Sequence, residues 1–274
     1  MSSQLDRTVF DDPMIAEVER IAARAATLIM GAFGASDLAV RTKSDDSPQS
    51  RADREASDLI TTALRAAFGE PVISEEQRVS WAKRREWTVL WLVDPLDGSR
   101  EFLNGIEEFA VSIGRIEAGA PTHGVIYIPP TGVCYAAISG AGAAVRRGGR
   151  ITALPAIVPP RPIQALSRYH NVPAAAEFAD LNGYTEMRPT GSALKFGMLA
   201  EGEIAVYPRF EECKEWDTAA GQLILTEAGG AMIDVTTGHP PIYNKPAYPN
   251  NSFVACAPGI DITTLRLPAS AYPA

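Results

Sequence analysis

The chain has 274 residues, of which 46% are hydrophobic and 21% charged, and its formal net charge is −8. That length and apolar content suit one large domain or two lobes around a shared core. The acidic balance argues against a surface that coats a nucleic-acid polymer, though a local cationic pocket for a single nucleotide remains compatible with it. Cys134, Cys213 and Cys256 are widely spaced and form no CxxC pair, so neither a zinc site nor a disulfide framework is expected. Reduced thiols in a cytoplasmic protein are the expectation instead. The stretch from Met1 to Pro13 is polar and carries acids, unlike a signal peptide, and the apolar run from Ala22 to Phe33 is too short to span a bilayer.

In chain order, Met14 to Phe33 carries Ile15, Val18, Ile21, Ala22, Ala25, Leu28 and Ile29 at helical spacing, with Gly31 and Gly34 near its end. Val40 to Pro48 is polar and turn-rich and reads as a loop. A second helix is predicted from about Arg51 to Phe68, with Asp53 in its first turn. Pro71-Val72-Ile73 is a short strand running into Ser74-Glu75-Glu76. Val89 to Val93 is an apolar run of strand formers that leads into Asp94-Pro95-Leu96-Asp97-Gly98-Ser99. Phe109 to Ile116, Gly124 to Ile128, Val133 to Ile138 and Ala143 to Arg147 are successive strands separated by Gly/Pro turns, the pattern of an antiparallel meander. After Pro159-Pro160 the pattern changes. Ile163–Leu166, Tyr184–Arg188, Ile204–Tyr207, Ala231–Asp234 and Phe253–Cys256 read as strands. Pro173–Leu181, Ser192–Glu201 and Glu215–Ala228 read as helices. Alternating β and α predicts a layered α/β sheet, an α+β lobe over 1–155 being followed by an α/β lobe over 156–274.

The chemistry concentrates in a few places. Asp94 and Asp97 bring two carboxylates together at a strand end, and two neighbouring acids repel unless a cation sits between them. Hard oxygen ligands of this kind suit Mg²⁺. Gly98 and Ser99 then offer N–H groups and a hydroxyl for a phosphate. The same Asp-Pro-x-Asp-Gly string is also ordinary turn chemistry. Glu75 is either a surface acid after a strand or a third metal ligand. Asp217, in Glu215-Trp216-Asp217-Thr218-Ala219-Ala220-Gly221, is either a helix cap or a fourth acid of a shared site. The small residues after it let another element approach that helix closely. Asp53 is a first-turn acid favoured by the helix dipole, or a base that orients water through a hydroxyl such as Ser99. Lys195 reads by default as a snorkelling surface lysine. With Arg209 and the Ser167-Arg168-Tyr169-His170 segment it also makes a set suited to a second phosphate or a nucleotide.

Glu75-Glu76, Asp94-Pro95-Leu96-Asp97-Gly98-Ser99 and Trp216-Asp217-Thr218-Ala219-Ala220-Gly221, in that order and at that separation, resemble the inositol-monophosphatase superfamily of Mg²⁺-dependent, lithium-sensitive phosphatases. Lys43 to Pro48, Arg100-Glu101-Phe102, Gly191-Ser192-Ala193-Leu194-Lys195-Phe196 and Tyr207-Pro208-Arg209-Phe210 further resemble its CysQ-type 3′(2′),5′-bisphosphate nucleotidases. The resemblance spans Met14 to Cys256. It implies a layered αβαβα sandwich of the inositol monophosphatase/fructose bisphosphatase type, in a superfamily where dimers are common.

The resemblance also implies site roles. One Mg²⁺ is expected on Glu75, Asp94 and the Leu96 carbonyl, a second on Asp94, Asp97 and Asp217, and a third, loosely held, near Glu75 and the Lys43 to Pro48 loop. Asp53 and Ser99 are expected to position the attacking water, and the Gly98 and Ser99 N–H groups to contact the departing phosphate. Ser167, Arg168, His170, Ser192, Lys195 and Arg209 are expected on the non-reacting part of the substrate. Ser99 stands where the family often has Thr, which keeps the hydroxyl on a less restrained rotamer. The implied activity is hydrolysis of the 3′-phosphate of adenosine 3′,5′-bisphosphate to AMP. The alternatives are the same chemistry on inositol or other sugar phosphates, or a non-catalytic phosphate-binding protein.

Overall fold

Two amphipathic helices open the described chain. In α1 (Pro13–Ala32), Asp12 caps the first turn by accepting the Met14 and Ile15 N–H groups at 2.8 and 3.0 Å, and proline takes the first helical position, where an N–H would be unpaired anyway. In α2 (Arg51–Phe68), Ser50 caps the N-terminus and Gly69, at φ 68°, ends the helix in the left-handed conformation. The computed structural model describes residues 8–35, 40–42, 48–155, 160–169 and 173–271. The 43–47 segment and His170 therefore lie outside the described residues.

A seven-stranded sheet follows in sequence order: β1 (Val72–Ser74), β2 (Val89–Asp97), β3 (Ala110–Glu117), β4 (Ala120–Ile128), β5 (Val133–Ile138), β6 (Gly142–Arg147) and β7 (Arg150–Leu154). β1 and β2 pair in parallel, and every later pairing is antiparallel. The expected meander is present, extended by β7. Ile15, Ile21, Ile29, Ile60 and Leu64 from α1 and α2 are fully buried in one cluster with Val93, Val111 and Val125 of the sheet.

A second sheet has the order β9-β8-β10-β12-β11, built from β8 (Ile163–Ser167), β9 (Glu186–Thr190), β10 (Val206–Arg209), β11 (Ala231–Asp234) and β12 (Phe253–Cys256). β8 runs parallel to β9 and β10, while β12 is antiparallel to both its neighbours. A short helix α3 (Ser99–Leu103) follows β2. Helix α4 (Pro173–Asn182) buries Phe178 against Val206 and Val254 of the second sheet.

Helices α5 (Leu194–Ala200) and α6 (Glu215–Glu227) lie between the two sheets, sharing a cluster with Ile126, Tyr135, Tyr207 and Phe253. The layers are therefore α1/α2, seven strands, α5/α6, five strands, α4: the αβαβα sandwich. The small residues of α6 do what their size allows. A Cβ added at Gly114 would lie 3.0 Å from Ala219 and the Ala220 backbone, one at Gly124 would lie 3.0 Å from the Ala220 carbonyl oxygen, and one at Gly221 would lie 2.2 Å from the Phe196 ring. Close approach on both faces of α6 thus requires hydrogen in place of a side chain at these glycines. Among the described residues no helix is long and apolar enough to cross a membrane.

Candidate active site

Glu75, Asp94, Asp97 and Asp217 line one cavity of about 190 Å³ at the end of β2. The strand does not stop at Val93 before a turn. It runs on to Asp97 through a bulge: Asp94 stands opposite Ser112 and Asp97 opposite Ala110, three steps on β2 for two on β3. In a regular strand, residues three apart point to opposite faces. The extra residue resets the alternation so that both acids reach the same cavity. Pro95 falls within the bulge, where its missing N–H removes no ladder bond. Asp94 Oδ1 accepts the Leu96 N–H at 3.1 Å.

Gly98 follows at φ 95°, and a Cβ there would lie 2.9 Å from the Glu108 carbonyl oxygen, so both conformation and space call for glycine. Ser99 Oγ lies 2.7 Å from Asp53 Oδ1 and 2.9 Å from the Leu96 carbonyl oxygen. Asp53 Oδ2 accepts the Ser50 N–H at 2.8 Å and the Ser50 hydroxyl at 2.5 Å. The acid is thus both the reciprocal cap of α2 and the partner of Ser99, and both readings of Asp53 hold at once. Burial raises its pKa, against the lowering effect of the Ser50 and Ser99 hydrogen bonds.

Asp97 and Asp217 are half-buried carboxyls pushed up to about 6, Asp97 by desolvation and Asp217 by desolvation and then by repulsion from Asp97. Each engages one oxygen with a backbone N–H, Asp97 Oδ2 with Ala193 and Asp217 Oδ2 with Lys214. Asp217 is therefore a cap and a cavity acid together. Among the described residues nothing donates to the other oxygen of either carboxylate, and no three His, Cys, Asp or Glu side chains close into a ready coordination set. Four acids lining one cavity, two of them held in mutual repulsion with an oxygen to spare, form an all-oxygen donor set that fits a hard divalent cation.

Two cations, Lys195 and Arg209, line the same cavity. Lys195 is not a surface lysine. It is 2% exposed, and its ammonium donates to the Thr190 and Ser192 carbonyls at 2.9 and 2.7 Å, with the Tyr207 ring 4.9 Å away. Burial lowers its pKa to about 8, against the raising influence of Asp97. The default reading fails because α5 is enclosed between two sheets, which leaves no solvent for the head group to reach. Arg209 donates to Tyr207 Oη at 3.3 Å and to the Glu212 carbonyl at 3.2 Å, while its buried Nε has no acceptor among the described residues. Ser167, Tyr169 and Ser192 also line the cavity, the last with a left-handed φ of 54°.

Arg168 does not line it. Its guanidinium is held by Glu108 through two bonds of 2.7 and 3.2 Å, and Glu108 also accepts the Gly191 N–H at 2.7 Å. Glu108 carried no sequence signal, because it sits in an unpatterned connection between α3 and β3. Phe253, Cys213 and Tyr207 line the cavity as well; the Tyr207 and Phe253 rings meet edge to face at 5.3 Å. Phe253 reads from sequence as plain strand core, and only the pairing of Arg209 with Phe253 across β10 and β12 brings it here.

The fold and this cavity agree with comparisons to known proteins. The family profile described as "Inositol monophosphatase family" matches residues 11–268. The 3′(2′),5′-bisphosphate nucleotidase CysQ of Salmonella typhimurium is 38% identical over 223 residues, covering 81% of this chain and 90% of that protein. CysQ of Buchnera aphidicola is 32% identical over 248 residues, covering 89% and 94%. The crystal structure of CysQ from Bacteroides thetaiotaomicron superposes with a TM-score of 0.80 at 34% identity, covering 91% of this chain and 98% of that one. The chain belongs to the inositol monophosphatase family, a family of metal-dependent phosphatases.

Proposed function

We propose that this protein is a Mg²⁺-dependent 3′(2′),5′-bisphosphate nucleotidase that removes the 3′-phosphate of adenosine 3′,5′-bisphosphate, leaving AMP. The observation that carries the reading is that one cavity is lined by both a set of acids (Glu75, Asp94, Asp97 and Asp217) and a pair of cations (Lys195 and Arg209). A substrate with a single phosphate needs only the first. A second phosphate on the same molecule gives the cationic pair a partner. The names of the CysQ relatives support the same assignment.

In this reading Glu75, Asp94, the Leu96 carbonyl, Asp97 and Asp217 hold two or three Mg²⁺ ions. Bound there, the ions supply charge neutralisation at the reacting phosphate and a more acidic water. The chain's own residues position and relay. The Gly98 and Ser99 N–H groups seat the departing phosphate. Ser99 Oγ orients the attacking water, and Asp53 fixes the Ser99 rotamer and takes up its proton. Phosphoryl transfer depends on placement and charge stabilisation, so no protein nucleophile is required. Lys195, Arg209, Ser167 and Ser192 hold the part of the nucleotide that does not react. Arg168 and His170 are carried in this reading, on the family resemblance alone, as further contacts to that part of the substrate.

The test is a phosphate-release panel with and without Mg²⁺ on adenosine 3′,5′-bisphosphate, its 2′,5′ isomer, inositol 1-phosphate and fructose 1,6-bisphosphate. The adenosine bisphosphates should be preferred, and chelation should abolish release. Preference for inositol 1-phosphate would replace the nucleotide assignment with the inositol one.

A further inference from the structure

Glu101 is an acid that the roles above leave unused. It lies in the first turn of α3, is 5% exposed and lines the cavity. Its carboxylate meets its own backbone N–H, and among the described residues no other residue donates a hydrogen bond to it. Lys195 and Arg168 favour its charge from a distance but donate no hydrogen bond to it, since Lys195 is bonded to the Thr190 and Ser192 carbonyls and Arg168 to Glu108. Its position is enforced. A Cβ on Gly191 would lie 2.6 Å from Glu101 Oε1 and 2.5 Å from the Glu108 carbonyl oxygen, so the Gly191 backbone closes over the carboxylate and holds it in place. The Gly191 N–H is itself tied to Glu108.

A buried carboxylate short of donors is unfavourable, and it is doubly so in a cavity built for a phosphorylated ligand. It is consistent with binding only if the ligand brings the missing donor. The phosphates of adenosine 3′,5′-bisphosphate are acceptors, which leaves the ribose hydroxyl and the adenine amine. Glu101 follows the phosphate seat at Gly98 and Ser99 by only two residues, within one turn of helix. The donor on the carbon next to the reacting phosphate is the 2′-hydroxyl, whereas the amine lies at the far end of the nucleoside. Resting on the nucleotidase reading, we infer that Glu101 is a specificity-determining residue that accepts a hydrogen bond from the substrate hydroxyl vicinal to the scissile phosphate. In the 2′,5′ isomer the vicinal group is the 3′-hydroxyl, so the same acceptor serves both isomers.

The experiment crosses two enzymes with two substrates: the unmodified protein and Glu101→Gln, each on adenosine 3′,5′-bisphosphate and its 2′-deoxy analogue, with Mg²⁺ present. The unmodified protein should lose about 10- to 100-fold in kcat/KM on the deoxy analogue, the effect of removing one hydrogen bond to a charged group. Glu101→Gln should lose a similar factor on the ribonucleotide and little further on the deoxy analogue. Multiplicative losses, the variant impaired equally on both substrates, would overturn the proposal and assign Glu101 to charge balance or structure. Should Glu101→Gln fail to fold, as judged by thermal unfolding, the same cross with Glu101→Asp decides, because the shortened acid should lose discrimination between the two substrates. If the unmodified protein turns over neither nucleotide, the nucleotidase reading falls and takes this inference with it. If it turns over both at equal rates, only the inference falls.

Discussion

Ser99 has one proton and two acceptors, Asp53 Oδ1 and the Leu96 carbonyl, both within hydrogen-bond distance. The ionised Asp53 is the stronger acceptor, so it draws the proton and leaves a lone pair of Oγ facing the cavity. Ser99→Ala and Asp53→Asn should therefore each lower kcat by orders of magnitude, and the double variant should be scarcely worse than either. Measured losses that multiply would show two independent residues rather than a unit. Ser99→Thr keeps the hydroxyl and should remain active. Lys195 gives a prediction with a pH sign. Its folded pKa is about 8, against an ordinary value of 10.5, because burial disfavours the charged form. Below about pH 8 the ammonium is charged and available to the substrate; above it the charge is lost. Between 8 and 10.5 the unfolded chain binds more protons, so this group's unfavourable burial is relieved as pH rises through that window. Nucleotide kcat/KM should consequently fall above about pH 8, and Lys195→Arg should flatten that limb, since a guanidinium does not titrate there. A limb unchanged in the arginine variant would assign it to another group.

At the scale of elements, most of the layering was legible because burial imposes periodicity. The Ile15 to Ile29 stripe and the Ala56 to Leu64 stripe mark two helices, and the Gly/Pro-punctuated runs after Phe109 mark the meander. Strand edges were less so. Tyr184, read as the start of a strand, instead stacks on Phe178 at 6.4 Å, and the strand begins at Glu186. The bulge that turns Asp94 and Asp97 to one face was invisible as well, since Asp-Pro-Leu-Asp-Gly fits a turn equally well and only the partner strand fixes the register. The acids could be grouped from sequence only through the family resemblance, since spacing alone left Glu75 a surface acid, Asp217 a helix cap and Asp94 and Asp97 turn residues. Lys195 and Glu101 could not be judged, because burial between two sheets is a property of assembly. The close approach of α5 to α6 is testable here. An added Cβ at Gly221 would lie 2.2 Å from the Phe196 ring, so Gly221→Ala should destabilise the fold by about 1–3 kcal/mol in chemical denaturation. Phe196→Leu should recover part of that loss. No change in the unfolding midpoint for Gly221→Ala would mean that the two helices are free to separate.

For the whole molecule, the Asp97–Asp217 pair is a built-in instability, one that a cation would remove in the reading proposed above. Asp97 and Asp217 have folded pKa values of about 6 against an ordinary 3.8, owing to burial and, for Asp217, repulsion from Asp97. Both are raised, so between 3.8 and about 6 the folded protein binds more protons than the unfolded chain, and stability from this pair increases as pH falls through 6. Above about 6 the full unfavourable effect of two partly desolvated charges is present. The metal-free protein should therefore melt at a lower temperature at about pH 7.5 than at about pH 5.5. Mg²⁺ should raise the melting temperature at the higher pH through preferential binding to the folded state, by about 2–4 °C per kcal/mol relieved for a protein of this size. The gain should fade as protons compete below about 6. Asp97→Asn removes one of the two charges, so it should raise the metal-free melting temperature at about pH 7.5, reduce its pH dependence and weaken the response to Mg²⁺. A melting temperature of the unmodified protein that ignores both Mg²⁺ and this pH interval would mean that the pair carries no charge burden and that these acids are not the cation site.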